Sequence, residues 1–248
     1  MKNILHLLLT FSVVLNLSCS KDSASRSDVA GSGTGGSLAR FAIVGNYMYI
    51  VDYSDLKVLN IMDPSNPVLK NTTPVGFEIE TIYPFKDKLF IGSTSVVHIF
   101  SVTDPEHPQK LSTAISPEVL RRCDPVVAKD SVAYATLRTN GTCGGTQSIL
   151  AAYDIKDITN PVQKSTFPVT EPYGLGYADS ALYVCDKSGL LVFDIRNGYY
   201  PNLVKTLSDG PYIDVIPYND ILICWVKNGL ALYNIRDRFK PEIITKIQ

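Results

Sequence analysis

Past residue 40 the chain alternates between short apolar runs and clusters of Gly, Asp, Asn and Pro. Tyr49-Ile50-Val51, Tyr183-Val184-Cys185 and Leu222-Ile223-Cys224-Trp225 are such runs. Runs of this length, rich in Val, Ile and Tyr and bounded by turn residues, predict β-strands. The pattern also repeats. Asn60-Ile61, Ser101-Val102, Asp154-Ile155, Asp194-Ile195 and Asn234-Ile235 are each followed, three residues after the polar member, by Asp63, Asp104, Asp157, Asn197 or Asp237. Seven residues after it stands a proline every time: Pro67, Pro108, Pro161, Pro201 and Pro241, spaced 41, 53, 40 and 40 residues apart. A fixed period of this length marks a repeat architecture.

One unit reads as four strands. In the last unit these are Val215-Ile216-Pro217, Leu222 to Trp225, Leu232 to Ile235 and Ile243-Ile244-Thr245, joined by an Asn-Asp turn, a Gly-Leu turn and an Asp-to-Pro turn. Asp or Asn opens the third turn because its side chain can bond the backbone two residues on, and Pro fixes φ at the start of an outer strand. Four antiparallel strands in about 40 residues are the signature of a propeller blade. Such a sheet is apolar on both faces and needs neighbours to cover it. The expected fold is all-β, a five-bladed β-propeller of four-stranded antiparallel blades at about 40–75, 76–116, 117–170, 171–210 and 211–248. The first unit starts with its innermost strand and the last finishes with its outermost. No strand is exchanged to latch the ring, and closure would rest on face-to-face packing of units one and five, unless the ring is open there or completed by a partner.

These residues resemble the LVIVD-repeat family of bacterial exported proteins, best at Gly189-Leu190-Leu191-Val192-Phe193-Asp194-Ile195 and at Ala152 to Pro161. The resemblance covers Phe41 to Gln248 and implies a propeller on the cell exterior, without implying one activity. Units one and two carry Asp55-Leu56 and Val96-Val97 where the family has Gly-Leu, so their hairpins are expected to turn differently.

The amino terminus has another character. Lys2 precedes a mostly apolar run from Ile4 to Leu17 that stops at Ser18-Cys19 before Ser20-Lys21-Asp22. The run is too short for a comfortable membrane span. It resembles a bacterial lipoprotein leader, which implies removal of residues 1–18, acylation of Cys19 and insertion of that lipid into a bilayer. Ser-Cys-Ser-Lys-Asp is also similar to leaders of outer-membrane lipoproteins, periplasmic or surface-facing. Residues 19–39, rich in Ser and Gly with hardly an apolar residue, read as a flexible linker.

With 23 basic and 24 acidic side chains the net charge is −1, which disfavours nucleic acid as a partner. The repeat breaks in unit three, where extra residues fall near Pro117 to Asp124 and in the hairpin from Leu137 to Ser148. In an up-down meander both emerge on one face of the disc. Each holds one cysteine, and an oxidising compartment favours a Cys123–Cys143 disulfide over two unpaired thiols. Cys185 and Cys224 occupy neighbouring, non-equivalent places on second strands, point to opposite faces, and read as buried free thiols. The same end of the disc should carry Arg40, Glu78, Glu80, Arg121, Arg122, Asp124, Glu171, Tyr173, Tyr212 and Asp214 near the innermost strands, with Arg138 and Asn140 on the loop. They form either a binding face or an ordinary solvated rim.

Reactive constellations are missing from the sequence. His6 leaves with the leader, and His98 and His107 have no Cys, His or carboxylate at metal-ligand spacing. No nucleophile elbow, phosphate loop or dinucleotide pattern occurs. The expected function is therefore non-catalytic, without cofactor or metal: an exported lipoprotein whose propeller binds an envelope protein or glycan on the blade-three face. The alternative is a glycan-active hydrolase using Glu78, Glu80, Asp124, Glu171 and Asp214 at the central funnel. A third reading is a degenerate surface protein whose activity lies in a neighbour with which it assembles.

Overall fold

The computed structural model describes residues 35–94, 96–115, 125–139 and 147–247. All regular structure in them is β. A six-stranded sheet comes first: β1 (Phe41–Val44), β2 (Tyr47–Asn60), β3 (Val68–Phe85), β4 (Lys88–Ser93), β5 (Val96–Ser101) and β6 (Gln109–Ile115). Three four-stranded meanders follow. They comprise β7 (Val126–Lys129) to β10 (Val162–Val169) with β8 (Val132–Leu137) and β9 (Ser148–Asp154) between, then β11 (Pro172–Ala178), β12 (Ala181–Asp186), β13 (Gly189–Asp194) and β14 (Asn202–Leu207), then β15 (Tyr212–Tyr218), β16 (Ile221–Val226), β17 (Gly229–Asn234) and β18 (Glu242–Ile247). Every pairing is antiparallel between chain neighbours. The count of sheets differs from the expected five because β2 and β3 are long and the Tyr53–Ile79 pair bridges them, so units one and two merge into one sheet.

The polar positions of the repeat have a local cause. The side chains of Asn60, Ser101, Asp154, Asp194 and Asn234 each accept a hydrogen bond from the backbone N–H two residues on, at 2.8 to 3.3 Å. The carbonyls of Asp63, Asp104, Asp157, Asn197 and Asp237 then close the turn by accepting from the N–H three residues later. The first hairpin of each unit turns through a left-handed residue, Gly45, Lys86, Asp130, Asp179 or Asn219, with φ between 50° and 59°. The second hairpins diverge. Gly189 and Gly229 turn at φ 136° and 134°, Tyr53 takes φ 40° in unit one, and in unit two Ser93 Oγ both accepts from Val96 N and donates to its carbonyl.

Packing follows from strand alternation. Side chains of successive units meet in four core layers: Tyr49, Val51, Leu56 and Val58 against Leu89 and Ile91; Phe90, Val97 and Ile99 against Ala133, Ala135 and Ala151; Tyr134 and Leu150 against Leu182 and Val184; and Tyr183, Cys185, Leu190 and Val192 against Leu222, Cys224, Ala231 and Tyr233. Each large side chain sunk there contributes about 1.5–3 kcal/mol. Cys185 and Cys224 are free and buried, and burial pushes both thiols up. They share one layer, because opposite faces of consecutive sheets are its two walls. Among the described residues no core layer joins unit five to unit one.

The layers are also stitched by hydrogen bonds into the Asp-to-Pro turn of the next unit. Tyr49 Oη donates to the Pro105 carbonyl at 3.0 Å, Tyr134 Oη to that of Gly198 at 2.6 Å, and Tyr183 Oη to that of Arg238 at 2.8 Å. Phe90 holds this place in unit two, where Ser112 Oγ reaches the Ile158 carbonyl at 2.5 Å instead. Ile223 holds it in unit five. Tyr183→Phe should cost about 1–2 kcal/mol, since it leaves the Arg238 carbonyl short of a partner. Phe90→Leu, at the same place without a bond to lose, should show only a packing loss of about 1 kcal/mol. Urea unfolding midpoints compare the two.

Candidate functional site

The inner ends of the first strands are held by two buried carboxylates. Asp186, fully buried, accepts from Thr170 N (2.9 Å), Glu171 N (3.0 Å), Ser188 N (2.8 Å) and Ser188 Oγ (2.6 Å). That fixes the path into β11 and with it Glu171 and Tyr173. Asp214, 8% exposed, accepts from Ser37 Oγ (3.3 Å), Leu38 N (3.4 Å) and Val215 N (3.0 Å). Ser37, itself 1% exposed, accepts in turn from Leu175 N at 2.7 Å. Residues 36–38 therefore reach the innermost strands of units four and five, while the Ala39 carbonyl accepts from Ile82 N of unit two at 2.9 Å. These residues fall in the stretch read as flexible linker; they are packed on the domain, and the glycines there have a steric task. A Cβ on Gly36 or on Gly174 would lie 2.0 Å from an Asp214 carboxylate oxygen.

A second cluster lies beside the base of the unit-three hairpin. The Arg138 guanidinium stands over the Tyr173 ring, 4.5 Å from its centroid, and Tyr173 Oη donates to Glu171 Oε1 at 3.0 Å. Lys187 Nζ is 3.2 Å from the other Glu171 oxygen. These bonds, from Lys187 first and Tyr173 next, hold the Glu171 carboxyl below its usual range. Thr136 Oγ1 bonds the Tyr173 carbonyl at 3.0 Å, and Thr139 N donates to Ser148 Oγ at 3.1 Å, closing the hairpin base. The cluster presents a guanidinium, an aromatic ring and a carboxylate, groups that take part in cation–π contacts and charge-assisted hydrogen bonds. It contains no nucleophile with an adjacent base.

The structure thus groups Arg138, Glu171 and Tyr173. Arg40 is exposed, Glu78 is exposed with Thr94 Oγ1 donating to it at 2.6 Å, and Glu80 is half-buried. Two expected rim residues do not face solvent. Tyr212, 2% exposed, bonds Tyr233 Oη at 2.5 Å and donates to Asp209, and Asp214 is covered by residues 36–38. The first strand bulges at this place in units two, four and five, and the residues equivalent to Tyr212 and Asp214, namely Ile79 and Thr81 in unit two and Pro172 and Gly174 in unit four, are buried as well. Arg121, Arg122, Asp124 and Asn140, the Cys123–Cys143 pair and Cys19 lie outside the described residues. His98 is buried, with its imidazole pushed down to about 4 by desolvation, and His107 pairs with Asp104 at 3.0 Å. No group of three His, Cys, Asp or Glu among the described residues could hold a metal ion.

Cavities are modest. One of about 170 Å³ is lined by Asp209, Tyr212, Tyr233 and Lys246. At the opposite end a polar groove of about 560 Å³ runs between units three and four past Lys129, Asp130, Asp179 and Arg196. Missing from the sequence reading were Gly36, Ser37 and Gly174. The available signal was Asp214 itself, a carboxylate at the innermost-strand position where unit four has Gly174.

Burial raises Asp214 to about 6 against the opposing bonds from Val215, Leu38 and Ser37. The folded protein therefore keeps this proton to higher pH than the unfolded chain does. The group favours folding most below about pH 4, and that contribution, about 3 kcal/mol, is lost as pH rises through 6. Subtracting the pH–stability curve of Asp214→Asn from that of the wild type should isolate this slope. Gly174→Ala should cost about 1–3 kcal/mol by overpacking, measured by thermal unfolding.

Comparison with known proteins identifies the repeat. The LVIVD repeat model matches residues 35–73 and 181–209. Curated protein sequences give no match. Among solved structures the chain is similar to a periplasmic gluconolactonase of Pseudomonas aeruginosa (TM-score 0.64, 13% identity, 82% of this chain and 67% of that one). It is also similar to a functionally unknown protein from Desulfotomaculum acetoxidans (0.67, 8%, 84% and 68%) and to BamB from Moraxella catarrhalis (0.55, 11%, 83% and 62%). The chain spans about two thirds or less of each of these structures. At such identities the likeness concerns the fold, a β-propeller. The chain therefore carries LVIVD repeats at residues 35–73 and 181–209 within the fold of a β-propeller.

Proposed function

We propose that the chain is a non-catalytic lipoprotein of the cell envelope. In this reading residues 1–18 are a signal peptide, acylated Cys19 enters the outer membrane, and a tether carries a five-bladed propeller that binds a partner protein or glycan on the blade-three face. Five blades are supported by the five equivalent turns that run from Asp or Asn to Pro. They are also supported by Ile61 N bonding the Asn46 carbonyl at 2.8 Å, the counterpart of Ile195 to Ser180 and Ile235 to Asp220. That bond folds β2 back on itself and makes it the second and third strands of one blade. β3 correspondingly serves as the last strand of blade one and the first of blade two. A periplasmic protein among the similar structures accords with an extracytoplasmic address.

The observation that carries the binding reading is the Arg138–Tyr173–Glu171 cluster beside the unit-three hairpin, where the insertions break the repeat. A Cys123–Cys143 disulfide would pin that hairpin and lower its ordering cost on binding. Hydrolysis is less well supported. Of the carboxylates that could serve it, Asp214 is covered, Glu171 is tied to Tyr173 and Lys187, and Glu78 is bonded by Thr94.

The test is photo-crosslinking in intact cells with the acylated full chain. A photoreactive residue replacing Lys187, beside the cluster, should capture a discrete envelope protein or glycan, and Arg138→Ala should cut the yield about tenfold or more. The same residue at Asp179, on the opposite end, should capture none. Equal capture from both ends would refute the proposed face. Cys19→Ala should release the protein from the membrane fraction and abolish incorporation of labelled fatty acid.

A further inference from the structure

Among the described residues, left-handed backbone at a residue other than glycine falls at Lys86, Asp130, Asp179 and Asn219, all in first hairpins, and at Tyr53 and Glu78. The last two follow no rule of the repeat. Tyr53, at φ 40°, holds a bulky ring in a region such side chains rarely adopt, and Glu78 takes φ 55°. They lie together, because Tyr53 pairs Ile79, the next pair is Asp55 with Pro74, and Ser54 alone faces Val75, Gly76, Phe77 and Glu78. This bulge is anchored at both ends. Val75 and Ile79 are core residues, and a Cβ on Gly76 would lie 3.3 Å from His98 Nε2. Between the anchors Phe77 is held out at 81% exposure, the most exposed large apolar side chain described, and Tyr53 on the facing strand is 60% exposed. Strain that presents rings to water serves no packing, and such strain gathers where a ligand is bound.

Strand pairing gives the bulge its place on the disc. Ile79 pairs Ser93 as Pro172 pairs Asp186, so Glu78 stands where unit four has Glu171, and Thr94 where it has Lys187. The bonding matches too. Thr94 Oγ1 donates to Glu78 at 2.6 Å, and Lys187 Nζ bonds Glu171 at 3.2 Å. The end of the molecule that bears the unit-three hairpin therefore carries two aromatic–carboxylate groups, Tyr53–Phe77–Glu78 and Tyr173–Glu171, two units apart.

We propose that Tyr53, Phe77 and Glu78 form a saccharide subsite and that, together with the Glu171 cluster, they hold an extended neutral glycan. This rests on the binding face proposed above and commits it to one of its two partner classes. A sugar ring has an apolar C–H face that packs on an aromatic ring and a rim of hydroxyls that donate to a carboxylate, whose acceptor positions number about four. Thr94 takes one of those on Glu78. The surroundings suit a sugar better than a protein, since the charged Asp52, Lys57 and Glu78 stand among the rings and leave no continuous apolar core of the kind protein interfaces have. Asp52, Glu78 and Glu171 also disfavour an acidic chain. A polymer reaching both groups gains from their linkage, which a single sugar does not.

The test is affinity electrophoresis of the purified full-length protein through gels containing dextran, mannan, laminarin or xylan. At least one of these should retard the wild type. Phe77→Ala should weaken that binding about tenfold or more, and Phe77→Trp should preserve it. The Phe77→Ala protein should unfold at the wild-type urea midpoint because the ring is exposed, and Phe77→Gln replaces it if it does not fold. Tyr53→Gly relieves the left-handed backbone, so it should raise the thermal midpoint while weakening retardation, an opposition that a purely structural tyrosine would not give. Migration of the wild type unaffected by all four polysaccharides overturns the inference, as does retardation that Phe77→Ala leaves unchanged. Retardation lost in Arg138→Ala but kept in Phe77→Ala would uphold the earlier face and remove this subsite. Protein capture by crosslinking at Lys187, with no polysaccharide bound, would uphold that face and reject the glycan.

Discussion

A sheet apolar on both sides has to be covered on both sides, and that requirement organises this molecule. Every second and third strand in units two, three and four is buried throughout or nearly so, whereas in units one and five burial alternates residue by residue. Neither the turns nor the charged surface supplies a comparable driving force. The ion pairs among the described residues lie mostly at the surface, where solvent screens them. The Asp-to-Pro turn serves the stacking twice, by its own Asx bonds and by offering its carbonyls to the preceding unit.

That double use explains how much was legible in the sequence. The period, the strands and the turns could be read because each depends on neighbours in the chain: an Asn or Asp bonding two residues on, a Pro fixing φ, an alternating apolar run. The merging of units one and two into one sheet could not, because it rests on a single long-range pair between Tyr53 and Ile79. Nor could the docking of residues 36–38. Gly-Gly-Ser reads as a tether in isolation, and only the proximity of Asp214, 177 residues away from Ser37, turns it into a packed segment.

The candidate site was half legible for the same reason. Repeat position brought Arg138, Glu171 and Tyr173 to one place, and the structure has them in contact. It failed for Tyr212 and Asp214, which stand at an interior position of the first strand that is buried in units two and four as well. A carboxylate at that interior position is accommodated by Ser37 and Leu38, which bond it from far along the chain.

Among the described residues the repeat units stack face to face, and the outward apolar faces of the first and last are buried by no other described unit. Amide hydrogen exchange followed by mass spectrometry on the dilute protein tests this central claim most directly. The claim predicts that β12 and β13 exchange far more slowly than β16 and β17, their equivalents in the last unit. Equal, slow exchange in both pairs would contradict it, because that would require a cover over the last sheet that the stacked units do not provide.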